Sequence, residues 1–465
     1  MNKNIILVGL GPHAKRIYIN LMKKHRILPL VIVDLERNKE NVLMYLEKEN
    51  IDCETYFVSD NEADVLNLSE QVKCDLRELI RKLSIKYAII STEPKAHFAY
   101  AKFFLDEDVN ILMDKPITAP TFIFDSVTNS KRIQEEFNVL RNEYIKKPYL
   151  NFTIQCQRRF HAGYDYVKDL IEKTVDKYCV PVTYLDVYHS DGMWNMPDEF
   201  FSRENHPYKY GYGKLFHSGY HFVDLITWLL ESNSKLINKK ANGVSITTTL
   251  FRPKDFFTTI DNDFYKKYLN TNKYKEILAN KEKVYNFGEL DVHSMIDFKN
   301  NDSIITHCNL NLLQSGFSRR AWTELPEDTY KSNGRVRHER VDIQIGPIMN
   351  IQIHSYQSHE IHEKSDIPDY EIGSNDHFDI YVFRNSNIIG GKPFEKISIK
   401  ELLKKNDFFG NNEKAREMCF LDFINDKKGE SDLLKHDESI LLLTKLCESV
   451  SNGTNSIDCE WGKSE

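Results

Sequence analysis

The sequence predicts two domains, an α/β N-terminal domain with a parallel sheet and an α+β C-terminal domain with a large, mostly antiparallel open sheet. A chain of 465 residues exceeds what one hydrophobic core usually serves. Up to residue 148, short apolar runs alternate with amphipathic stretches, which is typical of strand–helix–strand units. Later runs alternate apolar and polar residues, which favours antiparallel strands. We therefore place the domains at 1–148 and 149–465.

The composition is that of an ordinary globular protein, with 41% hydrophobic and 28% charged residues. A net charge of -7, spread along the chain, argues against nucleic acid as a partner. The sequence contains neither a signal-peptide pattern nor an apolar run long enough for a membrane span, which predicts a cytoplasmic protein without a membrane partner. Eight cysteines without a C-x-x-C pair favour reduced thiols over disulfides or a metal site.

Five strands are predicted in the N-terminal domain, at 5–8, 30–33, 56–58, 87–91 and 110–113. A helix is predicted after the first strand, because apolar residues recur there at helical spacing, at Ala14, Ile17, Tyr18, Leu21 and Met22. That apolar face can cover the sheet.

Seven strands are predicted for the antiparallel sheet, at 151–157, 182–188, 244–250, 293–298, 304–310, 341–345 and 378–383. The polar segments near 232–286 and 315–376 are interpreted as surface insertions. Two closing helices are predicted between Glu413 and about Val450, with apolar contacts from Phe420, Phe423, Leu441, Leu442 and Leu446.

A glycine-rich turn follows the first strand and leads into the predicted helix. It reads Gly9-Leu10-Gly11-Pro12-His13-Ala14, a G-x-G-x-x-A pattern. Small residues let the backbone approach a pyrophosphate, and the start of the helix supplies free N–H groups. The pattern predicts a Rossmann domain in which Gly9, Gly11, Pro12, His13 and Ala14 bind a dinucleotide.

The residue at the end of the second strand indicates which dinucleotide is preferred. A carboxylate at Asp34 can accept hydrogen bonds from both ribose hydroxyls and would repel a 2′-phosphate. Glu36 adds to that repulsion, whereas Arg37 could pair with a phosphate. We expect NAD as the cofactor, with NADP possible.

Two further turns of the N-terminal domain read S-T-E-P-K-A-H at residues 91–97 and M-D-K-P at residues 113–116. They resemble the T-x-x-x-x-H and E-K-P turns of the glucose-fructose oxidoreductase/inositol dehydrogenase (Gfo/Idh/MocA) family. Thr92, His97, Lys115 and Pro116 match, while Asp114 replaces the usual Glu. The resemblance implies cofactor contacts from the residues of these turns, namely Thr92, Glu93, His97, Asp114 and Lys115.

A third block, residues 213–229, is similar to the family's G-x-x-x-D-x-G-x-H-x-x-D-x-x-x-W-L helix. Gly219, His221, Asp224 and Trp228 match, whereas His217 stands where many members carry Asp. Residues 157–161, Q-R-R-F-H, resemble the first strand of the family's second domain. Together these segments cover the first 230 residues in the family's order.

The position of Lys115 favours a catalytic role. It lies just past a parallel strand, at the edge where open α/β sheets bind ligands, and an ammonium there can stabilise a developing alkoxide. The alternative is a solvated lysine in a turn.

On a continuous α-helix, His217, His221, Asp224 and Trp228 would share one face. We predict His221 as the general acid/base that acts with Lys115 from the other domain on one hydroxyl, and His217 as a catalytic or substrate-binding neighbour. Asp224 would orient His221. Packed histidines are one alternative, and a metal half-site is another, although no third ligand is evident.

Arginines and histidines elsewhere could recognise an anionic substrate group. Arg159 is the substrate-binding candidate, with Arg158, His161 and Tyr164 close to it in sequence. Further candidates lie in the later insertion, at Arg319, Arg320, Arg337, His338 and Arg340. The alternative is that these side chains are solvated, and the cluster of His354, His359 and His362 is interpreted as surface.

The resemblance implies an NAD(P)-dependent oxidoreductase that transfers hydride between nicotinamide and a secondary alcohol of a sugar, inositol or nucleotide-sugar substrate. It also implies a homodimer or homotetramer. Two alternatives stay open: a glycosidase that uses bound NAD in a redox-elimination cycle, and a non-catalytic NAD(P)-binding regulator. Net NADH production separates the glycosidase from a dehydrogenase, and the presence of both Lys115 and His221 argues against a regulator.

Overall fold

The computed structural model describes residues 3–64, 66–204, 206–321, 334–357, 377–403 and 411–462. The chain divides into two units. The first comprises Met1–Pro120, Arg132–His161 and Phe409–Ile440. The second comprises Thr121–Lys131, Ala162–Phe408 and Leu441–Glu465.

The first unit contains a six-stranded parallel sheet. Its strands are β1 (Ile5–Val8), β2 (Val31–Leu35), β3 (Glu54–Val58), β4 (Tyr87–Ile90), β5 (Asn110–Asp114) and β6 (Phe152–Gln155). They lie in the order β3-β2-β1-β4-β5-β6, so the order reverses between β1 and β4. Open α/β sheets bind ligands at the carboxyl ends of strands at such a reversal. The predicted Rossmann sheet is confirmed, and the glycine turn follows one of the two strands at this point.

One continuous helical run, residues 12–24, covers the sheet after β1. It consists of Pro12–Ala14, the π-helical Lys15–Ile19, and Asn20–Lys24. The other helical segments of this unit are Glu36–Asn38, Lys39–Glu49, Asp60–Asp64, Glu70–Leu83, Pro94–Ala96, His97–Asp106, Gln157–Phe160, Asn411–Ile424 and Leu433–His436. The predicted apolar face is confirmed, since Ala14, Ile17, Tyr18 and Met22 are buried and Leu21 packs partly against the same core.

A helix from the end of the chain completes that core. Cys419, Phe420 and Phe423 on Asn411–Ile424 are buried in one cluster with Ile5 and Leu7 of β1. The prediction of two closing helices is confirmed, because Asp437–Ser451 follows with Leu442 and Leu446 buried and Leu441 partly buried. The residues of the helix Asp437–Ser451 are divided between the two units, as are those of the helix Val127–Ile145.

The assignment of residues 151–157 to the antiparallel sheet is wrong. Strand β6 pairs in parallel with β5, with Phe152 opposite Ile111. All four residues of β6 are buried. Its polar side chains suggest an exposed face in the sequence, but they form hydrogen bonds within the protein. Thr153 donates to the Asn151 side chain, and Gln155 donates to the carbonyl of Arg416. Residues 157–160 form a 3-10 turn rather than a strand.

The second unit contains a nine-stranded sheet. Its strands are β7 (Val182–Ser190), β8 (Gly243–Phe251), β9 (Asp291–Asn300), β10 (Ser303–Leu313), β11 (Arg337–Ile345), β12 (Met349–Gln357), β13 (His377–Arg384), β14 (Phe394–Ser398) and β15 (Ser456–Glu460). They lie in the order β14-β13-β12-β11-β7-β10-β9-β8-β15, with only β7 and β10 parallel among the described pairs. The predicted large, mostly antiparallel sheet is confirmed.

The two faces of this sheet differ. Leu185 and Val187 on β7 are buried, whereas Asp186 and Tyr188 between and beyond them are partly exposed. The same alternation continues on the neighbouring strands β9 and β10. We call the partly exposed side the open face. The helical segments of this unit are Ala162–Tyr178, Glu199–Ser202, Leu215–Gly219, Tyr220–Ser234, Ile237–Lys239, Pro253–Thr259, Asn262–Leu269, Lys275–Ala279, Lys281–Tyr285, Ser386–Ile389 and Ile399–Leu402.

The two predicted insertions differ in the structure. Residues 253–285 form four short helices around a small aromatic core that includes Phe256, Phe257 and Tyr265. The segment 315–376, by contrast, supplies β11 and β12 of the central sheet, so its interpretation as a surface insertion is wrong for those strands. Arg340, Asp342 and Gln344 on β11 lie on the open face and mask the buried alternate positions in the sequence, whereas the polar Glu339 is buried on the other face.

Replacing Phe423 with Ala should destabilise the protein, because the deleted ring is fully buried in the core of the first unit. We expect a loss of about 3–5 kcal/mol in the free energy of unfolding, measured by urea denaturation. Met418→Ala on the same helix, where the side chain is 41% exposed, serves as the control and should cost about 0.5 kcal/mol or less. Equal effects of the two substitutions would contradict this packing.

Candidate functional site

The glycine turn is shaped for close approach of a ligand to the backbone. Gly9 has φ +86°, and a Cβ there would lie 2.5 Å from the carbonyl oxygen of Ser91, so only glycine fits. A Cβ on Gly11 would meet nothing within 4 Å, which leaves open space beside the second glycine. The helical run begins at Pro12, one residue later. This geometry fits a dinucleotide pyrophosphate, with the small residues giving access and the helix start giving N–H donors.

The Asp34 carboxylate lies at the end of β2 and contacts the glycine turn directly. One oxygen accepts a hydrogen bond of 2.7 Å from the backbone N–H of Leu10. The other accepts from the N–H of Leu35 at 2.8 Å and from the Asn38 side chain at 2.7 Å. These bonds fix the orientation of the carboxylate and leave acceptor capacity for a ribose hydroxyl. The Arg37 side chain lies 3.5 Å from Asp60, which compensates its charge.

His97 connects the turns that follow β4 and β5. Its ring is fully buried, with Nδ1 2.7 Å from the carbonyl oxygen of Pro116 and Nε2 3.2 Å from that of Thr92. Burial lowers the pKa of His97, which favours the neutral ring. A neutral imidazole donates one hydrogen bond, and the shorter distance places that donor opposite Pro116. His97 therefore fixes the backbone next to Lys115.

Asp114, which immediately precedes Lys115, lies in a network that the sequence did not reveal. Its carboxylate accepts hydrogen bonds from the hydroxyls of Tyr18 and Ser91. Nε2 of His13 lies 3.6 Å away. Burial alone would raise the pKa of Asp114, but His13 and the hydrogen bonds outweigh it and hold the pKa well below its usual range. The ionised carboxylate thus links the glycine turn and its helix to the Lys115 turn.

The third predicted block forms one continuous helix, residues 215–234, which we call the site helix. Its first five residues, Leu215–Gly219, are π-helical, so the expectation of a continuous α-helix is wrong at this end. π-Helical turns occur frequently at functional sites because they change the direction of side chains within a helix. His217, His221, Asp224 and Trp228 are all buried on this helix.

The His217 ring lies among aromatic side chains of the segment before the helix. It stacks on His206 with ring centres 4.7 Å apart. Tyr208 and Tyr212 contact it edge-on, at 5.4 and 5.9 Å. Tyr208 also belongs to the aromatic core of residues 253–285. The helical insertion therefore supports the surroundings of His217.

A buried ion pair fixes the start of the site helix, and it was missed by sequence reasoning. The Lys214 ammonium is fully buried and donates to the Asp191 carboxylate at 2.7 Å. It lies 3.0 Å from Nδ1 of His189. Burial lowers the pKa of Lys214, and Asp191 opposes that shift. Ser218, one turn later, donates to the same Asp191 oxygen at 2.7 Å. The only sequence signal for this ion pair was that Asp191 directly follows the residues of β7.

The predicted substrate cations have protein partners. Arg159, in the first unit, is buried and donates to the carbonyls of Glu430 and Lys435, each at 3.0 Å. Arg319 donates to the carbonyl of Arg335, and Arg320 pairs with Glu199. These bonds contradict the alternative that Arg159, Arg319 and Arg320 are solvated. His354 lies half-buried on β12, and the predicted positions His359 and His362 lie outside the described residues.

The structure divides the predicted site residues between the units. The first unit contains Gly9, Gly11, Pro12, His13, Ala14, Asp34, Thr92, Glu93, His97, Asp114, Lys115 and Arg159, and the second contains His217 and His221. Within the first unit, strand ends and hydrogen bonds bring together the glycine turn, Asp34 and the turn of Asp114. None of the helices in the described part of the chain is long and apolar enough to span a membrane.

Comparison with protein families gives a match to the N-terminal part of the chain. Residues 3–140 match the model of the Gfo/Idh/MocA family, an oxidoreductase family with an NAD-binding Rossmann fold. The predicted resemblance is thereby confirmed over this region, together with the expected class of an NAD-binding oxidoreductase. A comparison with curated proteins gave no match.

Solved structures extend the similarity of fold to both units. Levoglucosan dehydrogenase in complex with NADH superposes with a TM-score of 0.59 at 14% identity, covering 98% of this chain and 99% of that one. An oxidoreductase from Desulfitobacterium hafniense, described as NADPH-dependent, gives 0.56 at 12% identity, covering 99% and 97%. Aldose-aldose oxidoreductase from Caulobacter crescentus gives 0.55 at 10% identity, covering 99% and 100%. At such identities the likeness concerns the fold.

Replacing Asp34 with Ala should weaken NADH binding about tenfold, because it removes the bond to Leu10 and the predicted acceptor for a ribose hydroxyl. The affinity for NADPH should change less. Fluorescence titration with both cofactors measures the ratio. Arg37→Ala is the matched control and should leave NADH binding nearly unchanged, since Arg37 pairs with Asp60. NADPH binding the unsubstituted protein more tightly than NADH would contradict the role of Asp34.

Proposed function

We propose that the protein transfers hydride between NAD and a secondary alcohol of a sugar, inositol or nucleotide-sugar substrate. The observation that carries this proposal is the fixed position of the Lys115 turn, which follows β5 and is connected to the glycine turn through Asp114. The similar folds of levoglucosan dehydrogenase and aldose-aldose oxidoreductase support a sugar as substrate.

The proposed chemistry needs two groups beside the dinucleotide. NAD supplies the hydride acceptor when it is bound. Lys115 donates a hydrogen bond to the substrate oxygen and stabilises its negative charge as hydride leaves the carbon. His221 takes the hydroxyl proton and returns it in the reverse direction.

His217 is proposed as a substrate contact and a neighbour in the proton transfer. Its confinement by His206, Tyr208 and Tyr212 limits the positions that the ring can adopt. A fixed imidazole can recognise a hydroxyl with little loss of side-chain entropy on binding. Arg159, also predicted to bind substrate, already donates to two carbonyls, so any substrate contact would add to these bonds.

Lys115→Ala and His221→Ala should each reduce turnover by on the order of a hundredfold or more, while NADH affinity stays nearly unchanged. The substrate is first identified by NADH formation from a panel of aldoses, inositols and nucleotide sugars. Lys102→Ala is the matched control, because Lys102 is a surface group that pairs locally with Asp106. Near-native turnover in both site variants would refute the proposed catalytic pair.

We further propose that the open face forms a homodimer contact. Met295, Phe383 and Phe394 are exposed on it by 53%, 42% and 50%, and exposed apolar groups of this kind favour burial against a partner. Light scattering should give a dimer or a dimer of dimers. Met295→Glu with Phe383→Glu should yield monomers, whereas Ile237→Glu, 89% exposed outside the sheet, should not. An unsubstituted protein that is monomeric at micromolar concentration would exclude this contact.

A further inference from the structure

Glu289 accepts two hydrogen bonds from the start of the site helix, although Glu289 and this helix lie far apart in sequence. The backbone carbonyl of Glu289 accepts a bond of 2.8 Å from the N–H of Lys214. Its side-chain Oε1 accepts a bond of 2.7 Å from the N–H of Leu215. The first N–H groups of a helix have no partner within the helix, so these bonds satisfy donors that would otherwise be buried unpaired.

Two glycines permit this close approach. A Cβ on Gly213 would collide with the carbonyl oxygen of Glu289, and a Cβ on Gly288 would collide with the backbone of Tyr212. The N–H of Gly288 donates to the carbonyl of Tyr208 at 2.8 Å. The segments before and after Glu289 are thus packed backbone against backbone, which leaves the side chain little freedom.

The Glu289 side chain is fully buried, and its second oxygen, Oε2, has no hydrogen-bond partner among the described residues. The groups that act on it electrostatically are Arg252 after β8, Tyr208 in the preceding loop and Cys447 on Asp437–Ser451. Burial raises the pKa of Glu289 to about 7, and the Leu215 hydrogen bond and Arg252 oppose this shift. The carboxyl is therefore neutral at acidic pH and ionises near neutrality.

We propose that Glu289 is a positioning residue of the site helix: together with Asp191, its carboxyl fixes the first, π-helical turn and thereby sets where His217 and His221 lie. This inference rests on the proposed function only for the catalytic meaning of the two histidines. The ionised carboxylate is the stronger acceptor for the Leu215 N–H and is favoured by the helix dipole, whereas its burial opposes ionisation. The position of the helix start should consequently respond to pH around neutrality.

The pH dependence of stability has a definite sign. The pKa in the folded protein is raised above the ordinary value of 4.5, so the stabilising contribution of the neutral carboxyl is complete below about 4.5 and is lost as the pH rises through about 7. Glu289→Gln keeps an acceptor for Leu215 and cannot ionise. Its melting temperature relative to the unsubstituted protein should therefore rise between these two pH values.

The test uses ¹³C-labelled histidine and NMR titration of the full chain, with resonances assigned through His217→Gln and His221→Gln. Glu289→Ala should shift the His217 and His221 resonances and lower turnover at least tenfold, with NADH affinity unchanged. Glu289→Gln should match the unsubstituted protein in both resonances at acidic pH and differ from it increasingly above about pH 7, where only the unsubstituted protein carries the Glu289 charge. Glu448→Gln is the control, because Glu448 is another buried carboxyl in the second unit. It should leave both resonances unchanged.

Unchanged histidine resonances in Glu289→Ala would overturn the proposal, as would a difference between Glu289→Gln and the unsubstituted protein that does not change with pH. If Glu289→Ala does not fold, the Glu289→Gln titration alone decides. The histidine readout needs no substrate. Failure of the hydride-transfer proposal would appear separately, as near-native turnover in Lys115→Ala and His221→Ala.

Discussion

The close approach of Gly9 to Ser91 is the constraint on which the first unit depends. It is possible only without a Cβ, and it places the glycine turn beside the end of β4. Ser91 then donates to Asp114, which precedes Lys115, and Asp114 also binds Tyr18 on the helix that follows the turn. This backbone contact and the hydrogen bonds of Asp114 together determine where the glycine turn and the Lys115 turn lie relative to each other within this unit.

The second unit must fix a helix whose first turns bury polar side chains, including His217 and His221. Apolar packing alone does not orient buried polar groups, because each needs a partner of defined geometry. Lys214 and Ser218 bind Asp191, and Leu215 binds Glu289. Removing one partner of such a pair leaves a buried charge or donor uncompensated, so the arrangement specifies one position of the helix.

The local elements of the first unit were predictable from the sequence, because the β1 run, the glycine spacing and the helical period are short-range signals. Strand β6 was misassigned, since Thr153 and Gln155 are polar yet buried with partners. The π-helical turn of residues 215–219 has no period that the sequence displays. Glu289 follows the helix start by more than seventy positions, so its contact depends on tertiary structure that no local pattern encodes.

Deuterium transfer tests the central claim most directly. The purified protein is incubated with NAD and with sugars or inositols deuterated at their secondary carbinol positions, and the cofactor is analysed by mass spectrometry. The account predicts net accumulation of reduced cofactor that carries one deuterium from the substrate carbon. Bound NAD that gains no deuterium with any of these substrates, or deuterium that appears only in water while NAD returns to its starting state, would contradict the account.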